Sequence, residues 1–400
     1  MARPLSGIRV LEFGNFIAGP FCGMLLADMG ADVIKVEHPK GGDMSRAMPP
    51  LVQGESASFI ALNRNKRSLA LDLKAPDAPE LISRMASQCD VVIENFRPGV
   101  VDSLGIGPQV LRLANPKLVY TSISGFGQTG ALRLRAAVNL IVEAASGTLS
   151  VTGTKGEMPV RPGIQTGDMF GALFAVYAVL SGLVGVGRFG EGRFADVSLV
   201  EASIAAAAFE TADYFASGEI PEPLGNNHRL TSPYQLFETR DNRYIAIGSP
   251  NDQLFVRLCQ ALQLPQLLAD PRFQRYSERK TYESDLVPVV EAAVKARDSG
   301  ELEKQLTDIG LPCTIVRNYE EAIRGPHGLD RGIVVEATHP VVGRYETIRN
   351  PILLDEGSPS IVRSAPLHGE HSIEVMKEFG FDDERIQNLR AVETLFQAEC

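Results

Sequence analysis

The sequence predicts an α/β fold built on a mostly parallel sheet, and three observations carry that prediction. Short apolar runs alternate with helical stretches through the first 125 residues, 400 residues are enough for two domains, and the composition is that of an ordinary globular chain. In order, IRVLEFG (8–14) reads as a strand, PFCGMLLADMGA (20–31) as a helix and DVIKVEHP (32–39) as a second strand. RSLALDLK (67–74) is another strand, PDAPELISRMASQ (76–88) a helix, DVVIENF (90–96) a strand, and LVYTSISGFG (118–127) closes the set. Strands separated by helices imply right-handed crossovers and so a parallel sheet.

After residue 188 the pattern changes. EASIAAAAFETADYFASG (201–218) reads as one long helix, followed by a linker-like Pro/Gly/Asn stretch. NRYIAIGSPND (242–252) opens a new unit with a strand and a turn, and helices are expected around 253–268, 283–297 and 300–309. PCTIV (312–316) is a short strand, and APLHGEHSIEVMKEFG (365–380) is a loop leading into a helix.

A formal net charge of −10 and a pI near 5.3 argue against a nucleic-acid or anionic-membrane surface, while leaving room for a local basic pocket. The five cysteines, Cys22, Cys89, Cys259, Cys313 and Cys400, are scattered and form no C-x-x-C pair, which suits a reducing compartment. MARPLSGIRVLEFG has no signal-peptide apolar core, so a cytoplasmic location is expected. Residues 169–187 carry no charge and are long enough to span a bilayer. Their glycines and their isolation in the chain favour a fully buried helix at a crowded subunit interface, with no membrane partner.

A βαβ start invites a dinucleotide-binding reading, with Glu37 where a ribose-binding acid would sit. The glycine code is absent: the first turn, GNFIAGP, holds only Gly14 and Gly19. SISGFGQTG (122–130) reads as a tight turn whose backbone N–H groups can lie against an anion or a carbonyl. Asp168, in VRPGIQTGDMFGALFA (160–175), immediately precedes the long apolar helix. It reads either as an N-cap accepting backbone N–H groups or as a nucleophile kept ionised by the helix dipole, two compatible demands. His368 and His371 lack the further ligands a metal would need, and no metal is expected.

These segments together resemble the class III (CaiB/BaiF-type) coenzyme A transferases. The resemblance is carried by PLSGIRVLEFGNFIAGPFCGMLLADMGADVIKVEHPKGGDMSR, NRNKRSLALDLK, CDVVIENFRPGVVDSLGI, YTSISGFGQTG, RPGIQTGDMFGALFA, GRFADVSLVEA, DPRF (270–273) and APLHGEHSIEVM, in that order. It implies a Rossmann-like large domain (1–195), a linker helix and loop (196–232), a smaller α/β domain (233–330), and a return of 331–400 to the large domain. It further implies an interlocked homodimer. The aspartate of R-P-G-x-x-x-x-D, here Asp168, is the implied nucleophile, passing CoA from an acyl-CoA such as succinyl-CoA to a small carboxylic or dicarboxylic acid. No permanently bound cofactor is implied; CoA is substrate.

The CoA-binding positions implied are Ile17, Ala18, His38, Leu71, Asp72, Leu73, Lys74, Asn95, Phe96 and Arg97, with Lys74 and Arg97 as phosphate partners. His38 and Ser103 stand where relatives carry arginine. Oxyanion donors are expected near Gly125, Phe126 and Gly127 or at Gly248, and Arg133, Arg135 and Arg229 are candidates to meet a second carboxylate. Racemases of the same fold use a histidine where this chain has Val138, which favours transfer over racemisation. A non-catalytic acyl-CoA-binding homologue is the reading from another class.

Overall fold

The computed structural model describes residues 3–355 and 361–398; Cys400 lies outside them. One unit comprises 1–148, 161–218 and 332–400, the other 149–160 and 219–331. In the larger unit, strands β1 (Arg9–Phe13), β2 (Asp32–Glu37), β3 (Lys66–Leu71), β4 (Val91–Glu94), β5 (Val119–Ser124) and β6 (Phe194–Ser198) run parallel in the order β3-β2-β1-β4-β5-β6. Leu11 stands beside Ile34 on one side and Val92 on the other.

Side chains alternate across this sheet as the strand period requires. Leu11, Phe13, Ile34, Leu69 and Val92 face α2 (Ala78–Ala86) and a late helix, Ser372–Glu378, packing on Leu81, Met85, Val375 and Phe379. Val10, Val33, Val91 and Val119 face α1 (Ala18–Asp28) and the long helix after Asp168, packing on Leu26, Ala172, Ala175 and Val179. Each fully buried aliphatic side chain stabilises the fold by about 1.5–3 kcal/mol.

The α1 face also buries charge. Glu12 accepts from Lys35 at 3.0 Å and pairs with Lys66 at 2.8 Å, and Lys35 meets Asp43 at 2.8 Å, all four side chains solvent-free or nearly so. A Cβ on Gly23 would lie 1.8 Å from Glu12 Oε2, so glycine there is what admits the cluster beneath α1.

The C-terminal segment returns to the larger unit. Leu395–Phe396 pair antiparallel with Leu71 and Ala70, and Ser372 Oγ accepts from the Ala70 N–H at 3.0 Å. His368 stacks on Phe396 at 5.0 Å between ring centroids, and the Ser68 N–H approaches His371 Nδ1 at 3.4 Å. Both histidines thus tie this segment down, and among the described residues no group of metal-binding side chains forms.

Three expectations change. The boundary expected at 195 falls within β6, whose pairing with β5 keeps 196–218 in the larger unit. The single helix expected at 201–218 is two, Leu199–Ala206 and Ala208–Ser217, broken where Ala207 leaves helical geometry at ψ 43°. The third concerns the long helix, α4 here counting Asn139–Ala145 as α3: it spans Thr166–Phe189 and is not fully buried. Tyr177 is 69% exposed and Val184 59%, because one face covers the sheet and the other is left open by the described residues. Two of its glycines admit the larger unit's own packing rather than another subunit: a Cβ on Gly171 would meet Leu199 at 2.1 Å, and one on Gly182 would meet Val119 at 2.6 Å.

The smaller unit has a three-stranded antiparallel sheet, with Tyr244–Gly248 between Tyr234–Glu238 and Cys313–Ile315. Phe237, Ile245 and Ile247 pack on Phe255, Leu258, Leu286 and Leu302 from its helices.

Candidate active site

In a parallel sheet the loops leaving the strands' carboxyl ends gather on one edge, and a crevice opens where chain direction along the sheet reverses. Here that point lies between β1 and β4, and it is clamped. The Asn15 N–H donates to Asn95 Oδ1 at 2.8 Å, and Asn95 Nδ2 donates to the Asn15 carbonyl at 2.9 Å. Beside it Phe16 holds φ at 64°, a conformation bulky residues rarely adopt.

A cavity of about 680 Å³ occupies this crevice and takes in Asp168 together with Ile17, Ala18, Asn95, Phe96, Arg97 and Gly125. His38 and Asp72 lie further along the same edge, His38 Nε2 coming within 4.0 Å of Asp72 Oδ1, outside that lining. The Lys74 N–H donates to Asp72 Oδ1 at 2.9 Å, and its side chain is exposed. Leu71 is wholly buried in the core and offers no side chain to a ligand, while Leu73 packs against the same core. Ser103 donates to the Val100 carbonyl at 2.7 Å within its own turn.

Asp168 is the third residue of α4, not its N-cap; Gln165 holds that position and caps nothing with its side chain. The free N–H groups of the helix start are taken by two residues of α3 that sequence reading missed. Asn139 Oδ1 accepts from the Asp168 N–H at 3.2 Å, and Glu143 Oε1 accepts from the Thr166 N–H at 3.3 Å and the Thr166 hydroxyl at 2.7 Å. Asn139 Nδ2 donates to Glu143 at 2.7 Å and locks the pair. A polar pair spaced i, i+4 on an otherwise apolar helix, NLIVE, is the signal that was available.

The Asp168 carboxylate accepts no hydrogen bond among the described residues. Burial, with the Glu143 charge behind it, pushes its carboxyl up to about 6. At neutral pH such a carboxyl is still mostly ionised, with desolvation and a like charge opposing the helix dipole. The neighbouring Glu94 is wholly buried, accepts from the Phe96 N–H at 2.8 Å, and is pushed up to about 7 by burial.

Among the other expected residues, Gly127 holds φ at 82°, and the turn it makes is fastened by Gln128 N–H donation to Asp196 at 2.9 Å. The Phe126 ring lies 5.6 Å from the Arg135 guanidinium. Arg133, Arg135 and the exposed Val138 line the Asp168 cavity. Gly248 and Arg229 belong to the smaller unit. The Gly248 N–H already donates to the Pro312 carbonyl at 3.0 Å, so it is not a free oxyanion donor. Arg229 donates to the Glu222 carbonyl at 3.2 Å. Glu37 is held by Arg46, at 2.7 Å through each carboxylate oxygen, and by the Ser68 hydroxyl at 2.7 Å, leaving it nothing to offer a ribose.

A curated relative, succinyl-CoA:glutarate CoA-transferase of Homo sapiens, is 32% identical over 99% of this chain and 91% of its own length. Succinate–glutarate CoA-transferase of Agrobacterium fabrum is 35% identical over 94% and 95% respectively. The crystal structure of a CaiB/BaiF family protein from Brucella suis superposes with a TM-score of 0.83 at 32% identity, over 95% of this chain and 100% of that one. The model of the family described as CoA-transferase family III matches residues 5–372, and with the parallel sheet and the aspartate at its carboxyl edge it places the chain as an enzyme of CoA-transferase family III.

Proposed function

We propose that this enzyme passes CoA from an acyl-CoA donor such as succinyl-CoA to a small carboxylic or dicarboxylic acid, with Asp168 as covalent nucleophile. One observation carries the reading: α3 has taken over the capping of α4, so a carboxylate in the crevice keeps its lone pairs unengaged. The Asp168 carboxylate attacks the donor thioester carbonyl, CoA thiolate leaves, and a mixed anhydride forms. The thiolate attacks the aspartyl carbonyl, the donor acid departs as carboxylate, and an aspartyl-CoA thioester remains. The acceptor carboxylate then reverses the two steps, restoring Asp168 with no net proton change.

Ile17, Ala18, Asn95, Phe96 and Arg97 are the proposed walls of the CoA channel, with His38, Asp72, Leu73 and Lys74 continuing it along the sheet edge. Gly125 and the turn at Phe126–Gly127 stand nearest for oxyanion stabilisation. Relatives named for glutarate, D-citramalate and mesaconate support a dicarboxylic acceptor. Val138 offers no base at the cavity, which supports transfer over racemisation. The bare apolar face of α4, with Phe209 82% exposed and Phe215 81% exposed beyond it, supports a homodimer, and we take the enzyme to be cytoplasmic.

Incubation with succinyl-CoA followed by borohydride or hydroxylamine tests the chemistry. Modification at Asp168, with loss of transfer in Asp168→Ala, is expected; full transfer by that variant would overturn the mechanism.

A further inference from the structure

Arg97, Arg133 and Arg135 line the cavity around Asp168, and Asp168 is the one carboxylate in that lining among the described residues. In a chain of net charge −10 this is a local excess of cations. None of the three guanidinium groups pairs with a carboxylate among the described residues; the contact seen is the Arg135 guanidinium over the Phe126 ring at 5.6 Å. A guanidinium whose neighbour is an aromatic ring rather than a carboxylate keeps its N–H groups available for a second partner.

The loop bearing Arg133 and Arg135 is pinned at the site itself. It leaves the carboxyl end of β5 at Gly125 and returns so closely that a Cβ on Gly125 would meet Ala137 at 2.2 Å. Two residues later Asn139 holds the Asp168 backbone. Arg135 therefore has its Cα no more than about 14 Å from that of Asn139 by chain length alone. The phosphates of CoA are separated from its thioester by the whole pantetheine arm, whereas the far carboxylate of a short diacid is only a few bonds from the reacting one. Arg133 and Arg135, in the same cavity lining as Asp168, stand where the far carboxylate of a diacid would lie.

We propose that Arg133 and Arg135 form a receptor for the distal carboxylate of a dicarboxylic substrate while its other carboxyl reacts at Asp168. Phe126 acts through Arg135, as a positioning residue. The proposal rests on the Asp168 reading above. It gives the enzyme a means of preferring diacids over monoacids of equal length, since a planar fork matches a carboxylate with two parallel hydrogen bonds.

The test compares glutarate with valerate as acceptors in Arg135→Ala, Arg133→Ala and Arg135→Lys, reading the ratio of kcat/KM, diacid over monoacid. The ratio is expected to fall about 10- to 100-fold in Arg135→Ala, the range for losing a charged hydrogen-bonded contact, with most of the change in the KM for glutarate. Arg135→Lys keeps the charge without the fork and falls between. Equal losses for both acceptors, or an unchanged ratio in both alanine variants, would overturn the proposal. Trapping of the aspartyl-CoA intermediate in the unaltered enzyme is scored separately: its absence sinks the nucleophile reading, whereas its presence with an unchanged ratio sinks the arginine receptor.

Discussion

Glu143→Gln probes the electrostatics of the proposed nucleophile, Asp168, with little disturbance of its frame. The Asp168 carboxyl rises from 3.8 to about 6, first through burial and second through Glu143. Burial is the larger cause of a rise of about two pH units, so Glu143 accounts for less than about one of them. In the proposed mechanism the attacking form of Asp168 is the ionised one. Removing the Glu143 charge lowers the pKa of Asp168, so the acid limb of the kcat/KM profile moves to lower pH, by no more than about one unit. At pH 5 the unaltered enzyme holds roughly one Asp168 in ten ionised, and the variant up to about five times more. A glutamine with Oε1 in place keeps the bonds from Asn139, from the Thr166 hydroxyl and from the Thr166 N–H. Its amide replaces an oxygen that has no hydrogen-bond partner and stands 3.7 Å from Arg161 Nε. Steady-state kinetics from about pH 4.5 to 8 reads the limb directly. A limb that stays in place or moves upward would refute the assigned role of Glu143.

Three further outcomes follow from the geometry. Asp168→Asn should raise Tm at pH 7–8 and leave it unchanged near pH 4: a carboxyl raised in the folded state weakens the fold above about 6 and does so no longer below about 4. The gain at neutral pH is bounded at about 3 kcal/mol, and an unchanged Tm there would count against the raised pKa. Gly23→Ala drives a methyl to 1.8 Å from Glu12 Oε2 and should cost on the order of 3–5 kcal/mol in urea unfolding, the range for breaking a buried ion pair. A loss under about 1 kcal/mol would mean the cluster yields easily. Gly125→Ala pushes on Ala137 and through it on the arginine loop; kcat/KM should fall by up to about 100-fold with little change in melting, and unimpaired transfer would show that the loop position is not critical.

The sheet was legible because its strands are apolar on both faces and its crossover helices lie between them, and that legibility extended to the site. Ile17, Asn95 and Gly125 were each expected at a strand's carboxyl end, and the strand order brings these ends together. What escaped the sequence are contacts whose partners lie far along the chain and resemble their surroundings. Glu12 and Lys35 sit within strands read as apolar and Lys66 just ahead of the strand read at 67–74, and only the register sets them on one face beneath Gly23. Residues 149–160 join the smaller unit through links such as the Gly225 N–H to the Gly153 carbonyl at 2.7 Å, which no local pattern announces. The exposed face of α4 has the composition of a buried one, because composition records that a surface is to be covered and not by what.

Under the proposed mechanism, the capping and nucleophilic roles read from the sequence as compatible at Asp168 make opposite demands on its carboxylate. A carboxylate that accepts backbone N–H groups is stabilised as an anion, with its lone pairs occupied and its basicity reduced. Attack on a thioester needs the reverse. The structure separates the two tasks: α4 begins at Thr166, so Asp168 is placed beyond the capping position, and Asn139 and Glu143 satisfy the helix start in its stead. Glu143 then does more than fill the vacancy. A capping oxygen with a negative charge behind Asp168 raises the energy of its ionised form, adding to what burial has done, whereas a glutamine in its place would keep the same bonds and leave Asp168 less basic. The proposed reactivity of Asp168 thus gives a reason for a buried glutamate where an uncharged residue could make the same bonds.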